Sequence, residues 1–296
     1  LNQRLKAILR STSMVEVSVC LGQIKVVFSD VEGNLNRAIE AINEAARLGC
    51  RIIVLPETLD VGWLNPDARE LAKPIPGPYS DALANAARAN GIYVVAGLTE
   101  GEGGRVYDSA VLISPKGELL LKYRKINLLP YEQEIYEVGD RLGVAETEFG
   151  RIGVDICIDN AVDNLTLAHS MARMGASMIL SPAGWAVPGD YDLSKEHYLD
   201  GPWGKGWVIA YTTIARLYDI AVIGVSSVGE MTKGYWSGYK LIGSSLAVGP
   251  GGVVLAKGRE GVDASEVIKV NVPIVPRPVK GSKWAQYLRE KGYLLP

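Results

Sequence analysis

Three pairs of segments recur in the same order along the chain, and this repetition restricts its fold more than any other feature. AARLGCRIIVLPE (residues 45–57) resembles ARMGASMILSPA (residues 172–183). Each reads as a helix end, a short breaker and a buried apolar strand. AARANGIYVVAG (residues 86–97) and IARLYDIAVIGV (residues 214–225) repeat that design. SAVLISPKGELLLKY (residues 109–123) matches SSLAVGPGGVVLAKG (residues 244–258), and both read as β-hairpins closed by a Pro-x-Gly turn. The chain is therefore two copies of strand–helix–strand–helix–strand–hairpin, joined near residue 140.

Side-chain spacing says how such copies pack. In NLNRAIEAINEAARLG, Leu35, Ala38, Ile39, Ile42, Ala45 and Ala46 share one helical face. Asn34 is placed to cap that helix and Gly49 to end it. The strands RIIVL, IYVVAG, SMILS and IAVIGV are apolar on both alternations, so both of their faces are covered. Helices on one face and a second sheet on the other give an α/β four-layer α-β-β-α sandwich with an internal two-fold repeat. A plain doubly wound sheet is the alternative. No linker composition interrupts the pattern, so residues 14–296 read as one domain. Residues 1–13 lack an apolar h-region and a small-residue cleavage site, and read as an N-terminal extension or an expression remnant.

Composition excludes several partners. With 48% hydrophobic and 22% charged residues, the chain can bury a large core. A formal net charge of −2 gives no electrostatic case for nucleic acid or an anionic membrane. No apolar run is long enough to span a bilayer. Cys20, Cys50 and Cys157 lack metal-ligand spacing, and only His169 and His197 could serve a histidine-based site. No metal or other cofactor is expected. Cys20 and Cys50 read as buried strand and helix-end residues, and the cysteine usage fits a reducing cytoplasm.

Three reactive groups fall at strand ends, where α/β scaffolds place their sites. Glu57 closes RIIVLPE, Lys125 closes ELLLKYRK, and Cys157 closes RIGVDIC. A thiolate is a nucleophile, and an ammonium beside it lowers its pKa and stabilises an oxyanion. A carboxylate can take the thiol proton and return it to a leaving amine. That trio can open a carbon–nitrogen bond without metal or histidine. Each residue alone also has a bland reading: a buried small hydrophobe, a cap and a charged hairpin edge.

VLPET around Glu57, KYRKINL around Lys125 and GVDICID around Cys157 resemble, in order, the three signatures of the nitrilase superfamily of carbon–nitrogen hydrolases. The resemblance runs from about residue 15 to about residue 272 and includes YDSAVLISPKG, YEQEIYEVGD and GSSLAVGPGG. It implies the same four-layer fold, a Glu–Lys–Cys triad and a thioester intermediate. By that likeness Cys157 is the nucleophile and Glu57 the general base and acid. Lys125 and the backbone N–H of Ile158 form the oxyanion site, and Glu132, rather than its neighbour Glu134, positions substrate. Trp63 and Trp185 match pocket-lining positions, or are ordinary core aromatics.

The chain also departs from the family. Ala161 stands where many amidase-type members carry arginine, and Asp163–Asn164 replace a Pro–Glu pair. The Trp–Glu that follows the cysteine of true nitrilases is missing. The expected activity is therefore hydrolysis of a small linear amide, ahead of a nitrile or an N-carbamoyl compound. Acyl transfer to another amine shares the first half-reaction. A non-catalytic binding protein on the same fold is the reading from another class. Asp190, Asp192, Glu196 and Asp200 form an acidic stretch that reads as a solvated loop, or as a pocket for an amine-bearing substrate. The resemblance implies a homodimer or larger homo-oligomer, with the basic, aromatic segment after residue 272 as an arm between subunits.

Overall fold

The computed structural model describes residues 15–275 and 290–291. The N-terminal extension and nearly all of the C-terminal arm lie outside them. Two six-stranded sheets form the centre. The first has the order β15-β1-β2-β3-β4-β5, with β1 at Val15–Gln23, β2 at Ile52–Val54, β3 at Tyr93–Glu102, β4 at Arg105–Ile113, β5 at Leu119–Arg124 and β15 at Glu266–Ile274. The second has the order β14-β13-β10-β8-β7-β6, with β6 at Val144–Thr147, β7 at Gly150–Val154, β8 at Ala176–Ala183, β10 at Ala221–Ser226, β13 at Leu246–Gly249 and β14 at Val253–Lys257. A small third sheet joins β9 (Ala186–Val187), β11 (Val228–Glu230) and β12 (Lys240–Ile242).

The repeat is preserved down to register. Ile52 pairs with Tyr93 as Met178 pairs with Ala221, both parallel. Val94 pairs with Ile113 as Val222 pairs with Val248, both antiparallel. The two sheets are therefore the same sheet built twice. Their inner faces meet through residues such as Val19, Leu21, Ile52, Val54 and Val95, in one cluster with Ile152, Val154 and Leu180. The intervening residues Cys20, Ile53 and Val94 face outward, against Ala38 and Ile42 of α1 (Val31–Arg47) and Leu83 of α3 (Pro78–Asn90). Between these two helices in the chain lies the single turn α2 (Ala68–Leu71). On the second sheet the outer layer is α4 (Thr166–Arg173) and α5 (Lys205–Tyr218). That gives the α-β-β-α sandwich. Period-two alternation with apolar residues on both faces follows directly from double coverage. Burial of each such side chain contributes roughly 1.5–3 kcal/mol.

Two local expectations need correction. Helix α1 begins earlier than the spacing suggested: Asp30 is its cap, accepting from the N–H of Gly33. Asn34 is instead buried within the first turn and pins the preceding loop through Val27 and Asp60. Cys20 and Cys50 are joined in a disulfide, which leaves Cys157 as the free thiol. Cysteine usage thus carries no argument for a reducing compartment. No helix of the described residues is long and apolar enough to cross a membrane.

Candidate active site

The loops that leave β2, β5 and β7 converge. Glu57 lies three residues beyond β2, its backbone N–H donating to Ala183 O of the second half at 3.3 Å. Gly97 on β3 makes that position possible: a Cβ there would lie 2.5 Å from Glu57 Cα. Lys125 follows β5 directly, its N–H held by Asp108 O of β4 at 2.9 Å. Cys157 does not end a strand as the sequence suggested. Strand β7 stops at Val154, and Cys157 opens a short 3-10 turn, Cys157–Asn160, with φ of 45°. A left-handed non-glycine residue on such a turn carries backbone strain.

The Lys125 ammonium is buried at the centre of a carboxylate cluster. Its Nζ lies 2.5 Å from Glu57 Oε1, 2.6 Å from Glu132 Oε1 and 3.4 Å from Asp108 Oδ2. Burial alone would lower its pKa; Glu132, Glu57 and Asp108 outweigh that and hold it well above the ordinary lysine value. Glu132 is itself fixed by Trp63 Nε1 at 2.7 Å and by the N–H of Leu129 at 2.6 Å. Glu134 is exposed and outside the cluster. Carboxylate oxygens of Glu57, Asp108 and Glu132 lie within 4.8 Å of one another and could hold a cation. The ammonium already sits among them, so the chain supplies that charge itself.

Cys157 is buried, its thiol pushed well above the ordinary range first by burial and then by the Glu57 charge, while Lys125 opposes the shift. The backbone N–H of Gly184 opposes the shift as well. Glu57 Oε2 is buried without a hydrogen-bond partner, and an added Cβ on Gly184 would stand 3.3 Å from it. Ile158, next in the turn, is half-buried and lines a cavity of about 350 Å³ with Ala161, Asn127, Leu128, Leu129, Asp163 and others. Among the described residues no arginine or lysine lines it. Trp185 is buried and stacked on Trp207, with ring centroids 5.3 Å apart, and its Nε1 has no partner. Trp63 packs edge-on against Trp236 at 5.2 Å. Asp190, Asp192, Glu196 and Asp200 are all exposed, in keeping with a solvated loop.

A carbon–nitrogen hydrolase family model matches residues 18–274. The chain belongs to the carbon–nitrogen hydrolase family. Over 249 residues it is 32% identical to an omega-amidase NIT2 of Xenopus tropicalis, covering 80% of this chain and 83% of that one. Over 178 residues it is 35% identical to a nitrilase of Pyrococcus abyssi, covering 58% of this chain and 66% of that one, just under two thirds of that relative's length. A carbon–nitrogen hydrolase structure from Helicobacter pylori G27 superimposes with a TM-score of 0.78 at 18% identity, covering 94% of each chain. By family the protein is an amidase-like carbon–nitrogen hydrolase.

Parts of the site in this carbon–nitrogen hydrolase escaped the sequence reading. Asp159 accepts from Tyr123 Oη at 2.6 Å, from Asn127 N at 2.9 Å and from Ile156 N at 3.1 Å. It therefore ties the cysteine turn to the lysine loop of the other half. Asp155 accepts from Asn160 Nδ2 at 2.6 Å, and Ser181 Oγ accepts from Cys157 N at 3.2 Å. The spacing of two acids around Cys157 is visible in the sequence, but the Tyr123 and Asn127 partners of Asp159 lie 36 and 32 positions away along the chain. Asp108 was hidden inside the YDSAVLISPKG motif, where the strand pattern alone gives no sign of its neighbours.

Proposed function

We propose that this enzyme hydrolyses the carbon–nitrogen bond of a small linear amide through a thioester on Cys157. The observation that carries this reading is the divided Glu57 carboxylate: Oε1 is held by Lys125, while Oε2 is buried, unpartnered and beside Gly184, and the Glu57 charge acts on the Cys157 thiol. Glu57 takes the thiol proton as sulfur attacks the amide carbon. The developing oxyanion is stabilised by the Lys125 ammonium and the N–H of Ile158. Glu57 passes its proton to the amine, the C–N bond breaks, and ammonia or an amine leaves. Water then attacks the thioester with Glu57 again as base, releasing the acid and restoring the thiol. Glu132, locked by Trp63 and Leu129, orients Lys125 and the amide. The lack of a cationic side chain at Ala161 supports a substrate without a carboxylate at that end.

The test is intact mass and ammonia release with a pooled set of small amides, carbamoyl compounds and nitriles. One acyl adduct per chain is expected, absent in Cys157→Ala, with turnover in Glu57→Gln reduced roughly 10²–10⁴-fold. An adduct that persists without Cys157, or ammonia release that survives its loss, would overturn the reading.

A further inference from the structure

We propose that Asp108 is a neutral carboxylic acid in the working enzyme and donates a hydrogen bond to the Glu57 carboxylate, as a positioning residue for the general base. The proposal rests on the role of Glu57 given above. It follows from counting donors around buried carboxylate oxygens. Asp108 lies on β4, is 1% exposed, and has no hydrogen-bond partner for either carboxylate oxygen when ionised. Glu57 Oε2 shares that condition. An ammonium has three protons. Lys125 directs one to Glu57 Oε1 at 2.5 Å and one to Glu132 Oε1 at 2.6 Å, and stands off at 3.4 Å from Asp108 Oδ2. Three carboxylates around one ammonium would leave two uncompensated buried negative charges, a costly arrangement.

One added proton resolves the count. A carboxylate oxygen of Asp108 and one of Glu57 lie within 4.8 Å of each other, and two ionised carboxylates have no proton to share. The ammonium is closer to Glu57, so the proton resides on Asp108. Burial first, and then the Glu57 charge, hold the Asp108 carboxyl well above its usual range, in agreement with the geometry. The other ionisable groups acting on this pair are Glu132 and Tyr136 from the loop after Lys125, and Cys157 from the second half. A neutral Asp108 leaves the site with Glu57, Glu132 and Lys125 charged. Ionising it adds a negative charge where the thiolate and oxyanion must form. Cys157 should then lose reactivity as pH rises through that ionisation, whereas an ordinary thiol gains it.

Iodoacetamide alkylation of Cys157, followed by intact mass from about pH 6 to 10, reads this without any substrate. Its outcome is therefore separable from the choice of amide. Asp108→Asn keeps a neutral donor: at about pH 7 its rate should stay within about threefold of wild type, and at the alkaline end it should exceed wild type by about tenfold. Asp108→Ala, with no donor, should be slower by about tenfold at neutral pH. Infrared difference spectra between wild type and Asp108→Asn should show a protonated carboxyl band in wild type alone. An Asn variant slower than Ala, an unchanged pH profile, or wild type without that band would overturn the proposal. Infrared titration in an Asp155→Asn background, which removes the other strongly raised buried carboxyl, decides the matter if the Asp108 variants do not fold. Failure of wild type to alkylate would count against the role of Cys157, and the infrared band would still judge Asp108.

Discussion

The first half of the molecule carries Glu57, Asp108 and Lys125 where the second half, by strand register and repeat, carries Ala183, Gly243 and Glu260. The second half in turn places Cys157 where the first has Ile24. Two copies of one scaffold thus end in different chemistry. The acid and the cation come from one copy and the thiol from the other, meeting where the sheets face each other. Glu260 is an ordinary polar anchor, with Oε1 accepting from Ser244 Oγ at 2.5 Å and from Tyr198 N at 2.6 Å. Lys125, its counterpart, sits among three carboxylates. Duplication supplies rigid strand ends, and only the residues on those ends decide what each copy does.

The sharpest way to break this comparison is to neutralise the two counterparts. Lys125→Met removes the one cation from a buried acidic cluster and should lower stability by about 3–5 kcal/mol. Glu260→Gln keeps an acceptor for Ser244 and Tyr198 and should lose no more than about 1–2 kcal/mol. Urea unfolding midpoints at neutral pH measure both. Equal losses would mean that Lys125 is no more than another anchor.

A pH-dependent contrast lies at Asp155, whose register position in the repeat matches Gly22 of the first half. Burial, with Asp159 adding to it, raises the Asp155 carboxyl to about 8. Its folded form therefore holds a proton that the unfolded chain releases near pH 4. The stabilisation is complete below about pH 4 and is lost as pH rises towards about 8. Asp155→Asn removes the titration and keeps the acceptor for Asn160. Relative to wild type, the variant should gain stability across that window, by up to about 1.4 kcal/mol per pH unit. Thermal midpoints recorded from pH 4 to 9 test this, and parallel curves would exclude it.

The same contrast explains what was legible in the sequence. The sandwich was readable because repetition and double-sided apolar strands are local patterns, and register follows once both copies are aligned. Glu57, Lys125, Glu132 and Cys157 were readable as motifs, and the structure brings the three charged ones together while placing Cys157 on a turn. The partners of Asp108 and Asp159 were not readable. Their neighbours come from loops 17 to 51 positions away along the chain, such as Lys125 from Asp108 and Glu57 from Asp108. No periodicity records such a meeting. The Cys20–Cys50 pairing was missed for the same reason: a strand residue meets the start of the next strand across a whole helix.

The smallest expected effect tests whether the two copies obey the same backbone rule. Helices α3 and α5 both end on a left-handed residue, Gly91 with φ of 62° and Asp219 with φ of 51°. Glycine meets this geometry without penalty, and aspartate is among the few other residues that adopt it. A Cβ added at Gly91 would meet nothing within 4 Å, so Gly91→Ala isolates the backbone term from any clash. It should lower stability by about 1 kcal/mol, a fall in thermal midpoint of roughly 2 °C for a chain of this size. Gly91→Asp, which copies the second half, should lose less than Gly91→Ala because aspartate tolerates this region. If the aspartate variant lost as much as the alanine one, Asp219 would owe its place to contacts particular to the second copy, and the likeness of the two helix ends would stop at the backbone.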